Sequence, residues 1–542
     1  MTATGAGNPL SAEEPSRPRI LVSDPIAENG LEELRGIGEV DVVTRLSPED
    51  LEQRISTYDA LVVRSETKVS SAILDAANRL KVIGRAGVGV DNIDVEAATA
   101  RGVLVLNSPS GNTVAAAEHA MALMLALMRN IPWAHESMRS GAWDRQKFSG
   151  HELRGKTVGV IGFGKIGSEI AHMAARGFGM RVLAYDPLVS AARMEQFGAV
   201  PADLKSIYSE ADIITVHVPV TKETRGMIGA REIALMKPGA RTLNVARGGI
   251  IDEDALAAAL GEGRLGGAAL DVFVTEPLPA DSPLRAVDHL LLTPHLGAST
   301  EEAQVNVAVD VARQIGQYLS GELPPFPVNA PSIRPEELEQ VKPLLDLARR
   351  MGSLLAQLLQ GPIEALDVRY PDSVGRNVAG FVTAELLGGF LRHFTDAPIN
   401  VINALTTAKS MGIAVTEQVS TASSDSAEAI SVESGGDESV RVAGSVIGDS
   451  PRITRLDEFR VDMHPEGTFL VVSHEDRPGV IAGISSALAE RDINIARIDL
   501  GRDRPRGRAA LLMQVDDQIS AEVLGHIRGV TGLESLRLVE LE

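Results

Sequence analysis

No cysteine occurs among the 542 residues, so the chain forms no disulfide, carries no thiolate nucleophile and offers no cysteine-ligated metal site. It has nothing to lose in a reducing compartment, and cytoplasm is the simplest location. No metal centre is read from it. Positive charge is also short: 52 Lys and Arg face 73 Asp and Glu, a formal net charge of -21. That field repels phosphate backbones and anionic lipid, and no local basic patch stands out, so neither nucleic acid nor a membrane surface is expected as a partner. A membrane-length apolar run is missing as well. The longest, Val114 to Met128, spans about fifteen residues, contains Glu118 and His119, and falls short of the ~20 that a helical span requires. It reads as a buried helix. The opening MTATGAGNPLSAEEPSRP lacks the basic-then-apolar order of a signal peptide and is rich in residues that bury little, so residues 1–17 are expected to be a disordered tail.

What is present reads as several folded units. With 44% apolar and 23% charged residues the composition is that of ordinary soluble globular protein, and the length exceeds what one hydrophobic core supports, so three or four domains are expected. From Arg19 the apolar runs RILVSD, ALVVRS, KVIGRA and VLVLNS alternate with helical patterns such as ENGLEELRGIG and SSAILDAANR, the order of a parallel sheet wound through βαβ units. That unit ends near Ser110. A second wound sheet begins with the helix after Asn112 and runs through KTVGVIGFG, RVLAYD, DIITVHVP, RTLNVA, GAALDVF and HLLLTPH. A helix is predicted from Glu301 to Leu319, followed by a linker, GELPPFPVNAPSIRP, whose Pro324, Pro325, Pro327, Pro331 and Pro335 suit neither helix nor central strand. From Glu336 to about Glu466 lies a mixed region in which STASSDSAEAISVESGGDES is expected to be an exposed loop. The remainder reads strand, helix, strand, strand, helix, strand, the ferredoxin-like plan.

TVGVIGFGKIGSEIAHMAARGFGMRVLAYD places Gly162, Gly164 and Gly167 directly after an apolar strand and at the start of a helix whose Ile166, Ile170 and Met173 share a face. Asp186 ends the next strand nineteen positions past Gly167 (186 minus 167), where a carboxylate meets ribose hydroxyls. Gly162 permits the tight turn, Gly164 lets the backbone approach a pyrophosphate, and Gly167 lets helix and strand pack closely. Three loop glycines without a ligand are the bland alternative, and the placing of Asp186 speaks against it.

Three polar residues stand at or beyond the ends of later strands: Arg247 in NVARGG, Glu276 in DVFVTEP and His295 in TPHLGAST. In a doubly wound sheet such ends face the ligand crevice. An arginine offers a planar fork suited to a carboxylate and the carbonyl beside it, although an isolated arginine serves a surface ion pair equally well. A histidine takes a hydroxyl proton near neutrality, and a neighbouring carboxylate fixes its tautomer and stabilises the imidazolium. Ser299 and Glu302 fit a capping box, which puts His295 between strand end and helix start.

In this order the glycine fingerprint, VARGG, DVF with EP, and TPHLGAST resemble the D-isomer-specific 2-hydroxyacid dehydrogenases over about Arg19 to Ser332. The resemblance implies an α/β fold with two doubly wound parallel-sheet domains: a discontinuous, flavodoxin-like substrate-binding domain (18–112 and 298–333) and a Rossmann NAD-binding domain (113–297). It implies NAD as cofactor, held by Gly162, Gly164, Lys165, Ile166, Gly167, Asp186, Val218, Pro219, Val245, Ala246, Gly297 and Ala298, with Asp271 on the nicotinamide carboxamide. It further implies Arg247, Glu276 and His295 as the catalytic three, and RAGVGVDN (Gly87, Gly89, Asn92) as a backbone cradle for the substrate carboxylate.

SHEDRPGVIAGISSALAERDINIARI resembles an ACT domain (467–542), and its attachment through an α+β intervening domain (334–466) is similar to the long-form branch of that family, which oxidises 3-phosphoglycerate. That likeness implies 3-phosphoglycerate as substrate, with Arg64 and Arg85 as candidate cations for its phosphate. It also implies L-serine as effector, held by Asp476 and Asn494, and a homo-oligomer, dimer or tetramer. The family often carries an aromatic where His474 stands, so the effector's affinity or pH response is expected to differ here. Two rivals accompany this view. A glyoxylate or hydroxypyruvate reductase would share the catalytic residues but needs neither a phosphate site nor an ACT domain; an NAD-sensing scaffold or co-repressor would recruit partners without turnover, which an acidic surface and an amino-acid sensor do not suit.

Overall fold

A computed structural model describes residues 17–541 apart from 323, 332–334, 396, 421–427 and 436–438; the tail expected over residues 1–17 lies, but for Arg17, outside the described residues. Strands β1 (Arg19–Val22), β2 (Glu39–Val42), β3 (Ala60–Val63), β4 (Val82–Arg85) and β5 (Leu104–Asn107) form an all-parallel sheet ordered β2-β1-β3-β4-β5. Helices cover both faces, which is why β1, β3, β4 and β5 read as continuous apolar runs. The helix Glu301–Leu319 returns to this sheet, burying Val311, Ala312 and Ile315 beside Val82 and Leu104. Gly84 makes room for it, since a Cβ there would stand 2.4 Å from Val311 Cγ1.

The cap of that helix is Thr300, whose Oγ1 accepts from the Ala303 N–H at 3.1 Å, and not Ser299 as the capping-box spacing suggested. Ser299 belongs to the preceding turn, where its N–H bonds the Leu296 carbonyl at 2.8 Å. The proline-rich connector is also more than a linker. Val328 donates to the Val105 carbonyl at 2.8 Å, and Asn329 Oδ1 accepts from the Val105 N–H at 2.8 Å, so the segment lies along the free edge of β5. Pro335 opens the helix Pro335–Leu358, a first-turn position where its missing N–H costs nothing.

The second sheet comprises β6 (Thr157–Ile161), β7 (Arg181–Tyr185), β8 (Ala199–Pro201), β9 (Ile213–Val216), β10 (Ala240–Asn244), β11 (Leu265–Leu270) and β12 (Leu290–Leu292), all parallel and ordered β12-β11-β10-β9-β6-β7-β8. This is the Rossmann order, with the reversal between β6 and β9. The helix Thr113–Met128 packs Ala117, Ala120, Met124 and Leu127 against it. No single helix among the described residues is long and apolar enough to cross a membrane.

Six strands follow: β13 (Ala365–Pro371), β14 (Ala414–Ser420), β15 (Ile430–Gly435), β16 (Arg441–Ile447), β17 (Ser450–Leu456) and β18 (Phe459–Met463), ordered β14-β13-β15-β16-β17-β18. The exposed loop expected over STASSDSAEAISVESGGDES is corrected in part: residues 430–435 of it are β15, inside the sheet between β13 and β16, with Ile430 and Val432 fully buried, while 421–427 and 436–438 lie outside the described residues. Strong polar composition had masked a largely buried strand. This unit reaches the first sheet through Ile402, 5% exposed in its core, and through Asn400 Nδ2, which donates to the Gly102 carbonyl at 2.9 Å.

The last unit has β19 (Gly467–Glu475), β20 (Ile495–Arg502), β21 (Arg508–Val515) and β22 (Leu533–Leu541) in the antiparallel order β20-β21-β19-β22. Alternate residues divide its two faces. Leu470, Val472, Leu511 and Met513 pack with the helices Val480–Ala489 and Ala521–Arg528, whereas Phe469, Val471, Ala510, Leu512, Val539 and Leu541 join Leu347, Met351 and Leu354 of the helix Pro335–Leu358. Gln357 seals the edge of β22 like a strand residue, donating to the Glu540 carbonyl at 2.8 Å and accepting its N–H at 2.9 Å.

Candidate active site

The glycine loop follows β6 and opens the helix Lys165–His172. Gly162 has φ 92°, a conformation that side chains disfavour, and a Cβ there would meet the His217 carbonyl oxygen at 2.5 Å. A Cβ on Gly167 would lie 2.0 Å from the Gly162 oxygen, so helix and strand touch through it. Gly164 faces nothing within 4 Å. Bare backbone at a helix N-terminus with open space before it is what a pyrophosphate needs, so the loop fits a dinucleotide.

Asp186, beyond β7, accepts from the Phe163 N–H at 2.8 Å on Oδ2 and from the Leu188 N–H at 2.8 Å on Oδ1, which fixes the carboxylate beside the loop. Lys165 bonds Ser110 of the first domain's last loop, and Ile166 packs on the core below. Val218 lies under Gly162 and Val245 under Gly297, where a Cβ would come within 3.2 Å of Val245 Cγ1. Pro219 and Ala246 offer carbonyls already taken by Thr224 and Arg247. Ala298 stands beside Gly297, half-buried.

His295 and Glu276 meet as expected: Nδ1 and Oε2 lie 2.8 Å apart. Burial pushes the Glu276 carboxyl up, but the His295 hydrogen bond, the Phe273 N–H at 2.9 Å and the charge of His295 outweigh it, leaving its pKa below the usual carboxylate value. An ionised carboxylate only accepts, so Nδ1 is the donor in this contact, and in the neutral imidazole the lone pair falls to Nε2. His295 itself has φ 55°, rare for a residue with a side chain. Asp271 holds that turn: its carbonyl takes the His295 N–H at 2.9 Å, Oδ1 takes the Leu296 N–H at 2.8 Å and the Thr293 hydroxyl at 2.6 Å, and Oδ2 takes the Gly297 N–H at 2.9 Å. Asp271 is 1% exposed; burial pushes its carboxyl up, and the bonds from His119, Thr293 and Leu296 bring it below the ordinary value. A carboxamide would have to share Oδ2 with Gly297.

Arg247 leaves β10 and donates from Nε to Asp91 Oδ2 at 3.0 Å, an exposed carboxylate from the other domain. The glycines of RAGVGVDN seat guanidiniums: a Cβ on Gly89 would lie 1.8 Å from Arg247 Nη2, and one on Gly87 1.8 Å from Arg85 Nη1. Arg85 is pulled down to about 10, first by burial and then by the charge of Arg247, and its buried Nε has no hydrogen-bond partner among the described residues. Arg64 follows β3, one residue beyond the Val63–Arg85 pair, with its Nη1 3.5 Å from the Pro25 carbonyl, and its charge adds to that of Arg247 in lowering Arg85. Arg85 and Arg247 thus gather positive charge around the glycines of this loop. The Asn92 side chain braces this loop: both its amide hydrogens go to the carbonyls of Arg64 (2.8 Å) and Thr67 (2.6 Å).

Asp476 and Asn494 lie at opposite ends of the ACT sheet, Asp476 beyond the Glu475–Arg508 pair and Asn494 beyond Ile495–Val515. Within one copy of the chain the two side chains therefore do not meet. Asp476 does not cap the helix after it; Oδ2 accepts from Arg502 Nη1 at 3.1 Å and the Arg506 N–H at 3.0 Å. The partners Asp91, Arg502 and Arg506 were missed in the sequence, as was His119; the tight run GRDRPRGR was the visible signal for the arginines.

Residues 121–297 match the family described as D-isomer specific 2-hydroxyacid dehydrogenase, NAD binding domain; residues 340–457 match the D-3-phosphoglycerate dehydrogenase intervening domain, and 468–528 the ACT domain. The nucleotide is therefore NAD. A D-3-phosphoglycerate dehydrogenase of Synechocystis sp. is 44% identical over 96% of this chain and 95% of its own length, and one of Archaeoglobus fulgidus 43% identical over 96% and 100%. Among solved structures, D-lactate dehydrogenase from Aquifex aeolicus complexed with NAD and lactic acid matches with a TM-score of 0.52 and 28% identity, over 58% of this chain and all of that one. With the dyad, the arginine cluster and the glycine loop in place, these matches over nearly the full length mean that the chain belongs to the D-3-phosphoglycerate dehydrogenase family.

Proposed function

We propose that the protein oxidises 3-phosphoglycerate at C2 to 3-phosphohydroxypyruvate, the first step of phosphorylated serine biosynthesis. The observation that carries it is the positive charge that Arg85 and Arg247 gather, with the buried Nε of Arg85 unpartnered among the described residues, on a chain that also holds the His295–Glu276 dyad. A substrate with two anionic ends matches the guanidiniums of Arg85 and Arg247, with the charge of Arg64 felt at Arg85, better than a plain 2-hydroxy acid does. Arg247 exchanges Asp91 for the substrate carboxylate and polarises the developing carbonyl. Nε2 of His295 takes the C2 hydroxyl proton, and Glu276 stabilises the imidazolium that results. When bound, NAD supplies the acceptor for the C2 hydride; Gly162, Gly164, Gly167 and Asp186 hold it.

The same proposal assigns residues 18–112 with 298–333 to substrate binding, 113–297 to NAD, 334–466 to the intervening unit and 467–542 to the ACT domain, where L-serine acts as inhibitor. We place the enzyme in the cytoplasm, which a chain without cysteine suits. A homo-oligomer is supported by exposed apolar Ile131, Met138 and Trp143, the last 73% exposed, on one helix and the loop after it. The test compares NADH formation with 3-phosphoglycerate, glycerate and 2-hydroxyglutarate. Glycerate turned over as efficiently as 3-phosphoglycerate would refute the phosphate site.

A further inference from the structure

His119 sits beside Glu118 in the helix Thr113–Met128, a run otherwise mostly of apolar and small residues, and its Nε2 lies 3.2 Å from Asp271 Oδ1 and 3.3 Å from Thr293 Oγ1. The proton on that nitrogen follows by elimination. The Thr293 hydroxyl gives its one hydrogen to Asp271 Oδ1 at 2.6 Å, and an ionised carboxylate has none, so both neighbours of Nε2 are acceptors. His119 is therefore a donor at Nε2. Among the described residues every other donor to the Asp271 carboxylate, Thr293, Leu296 and Gly297, comes from the turn that carries His295, and His119 alone comes from another element. That element is the helix on which the chain enters the second domain, and the turn is where it leaves for the first.

We propose that His119 is a positioning residue for the proton transfer: its Nε2–H pins the buried Asp271 carboxylate, and through Asp271 fixes the strained turn that aims His295. The inference rests on His295 as the proton acceptor. The left-handed backbone of His295 persists because its own N–H and the two after it are all bound by Asp271, so a carboxylate free to rotate would release the turn. The charged and titratable groups around Asp271 are His119 from the helix and the Glu276–His295 dyad from the adjoining strand ends.

The test measures kcat, KM and thermal melting of full-length H119L and H119Q with NAD and 3-phosphoglycerate. H119L should lose about 10- to 100-fold in kcat, the weight of one hydrogen bond to a buried charge, with both KM values within about twofold. H119Q, whose amide reaches the same acceptor, should recover to within about fivefold of the native enzyme. The acid limb of kcat should move to higher pH in H119L, because a buried Asp271 short of a donor takes up a proton more readily. Native kcat in H119L, or H119Q as slow as an H119L that melts normally, overturns the proposal. Should H119L not fold, H119N, whose amide stops short of Asp271, must show the same loss beside an active H119Q; equal kcat in the two overturns it as well. Turnover that survives His295→Ala would instead sink the dyad, whereas a dead His295→Ala beside an active H119L sinks only the role of His119.

Discussion

Gly164→Ala and Gly167→Ala differ by one methyl group each, three residues apart, and should fail in different ways. At Gly167 the new Cβ would lie 2.0 Å from the Gly162 oxygen and 3.3 Å from Val160 Cγ1, backbone on one side and core on the other. The helix Lys165–His172 must therefore shift off β6, an overpacking cost of about 1–3 kcal/mol. For a unit of this size that lowers the melting temperature by about 2–12 °C, and NADH affinity falls with it because the loop moves. At Gly164 the backbone has φ -71° and ψ -160°, open to alanine, and nothing stands within 4 Å. Its methyl group fills the space meant for the pyrophosphate. Melting should be unchanged within about 1 °C, while NADH affinity drops about 10- to 100-fold through a lost charge-assisted hydrogen bond. Thermal melts and NADH fluorescence titrations on both variants decide the matter. A Gly164→Ala protein that binds NADH normally, or melts as early as Gly167→Ala, would refute this division of labour.

Glu276→Gln should move the acid limb of kcat/KM to lower pH. The Glu276 pKa is already depressed, so the carboxylate stays charged as pH falls and favours the imidazolium; the amide withdraws that support. A pH profile unchanged by the substitution would show that the 2.8 Å contact does not govern proton transfer. Neutralising Asp186 should narrow the preference for NAD over NADP, because its charge repels a 2′-phosphate; equal kcat/KM with both cofactors in the native enzyme would remove the premise. Asp476→Ala should weaken serine inhibition about 10- to 100-fold with uninhibited turnover intact. Calorimetry on the native protein that detects no serine binding at millimolar concentration would leave the ACT unit without that effector.

Legibility in the sequence followed burial. Strands enclosed on both faces, such as β1, β3, β6 and β9, announce themselves as apolar runs, while the edge strands β2, with Glu39 and Val42 exposed, and β8, with Val200 and Pro201 exposed, carry too little apolar signal to be noticed. Strand β15 hides because four of its six residues are Ser, Glu or Gly. His295, Glu276 and Arg247 stand at strand ends in compact motifs, so local sequence reveals them. His119 and Asp91 acquire their roles from partners 152 and 156 residues away, and no window of sequence contains both ends of such a contact. Asn92 shows the reverse: a motif position whose side chain proves to be a brace, because Arg64 and Thr67 turn their carbonyls to it.

The shared packing of the ACT sheet and the helix Pro335–Leu358 bears on how the protein comes apart. Phe469, Val471, Leu512, Val539 and Leu541 share one core with that helix and with Phe459 and Met463 of β18, and Gln357 occupies the edge that β22 would otherwise leave open. A lone C-terminal fragment would expose the face of its sheet that carries Phe469, Val471, Leu512, Val539 and Leu541. The two units should therefore melt in a single cooperative step, and a graft that carries the C-terminal unit to another protein should take the helix along, or the recipient acquires an aggregation-prone sheet face.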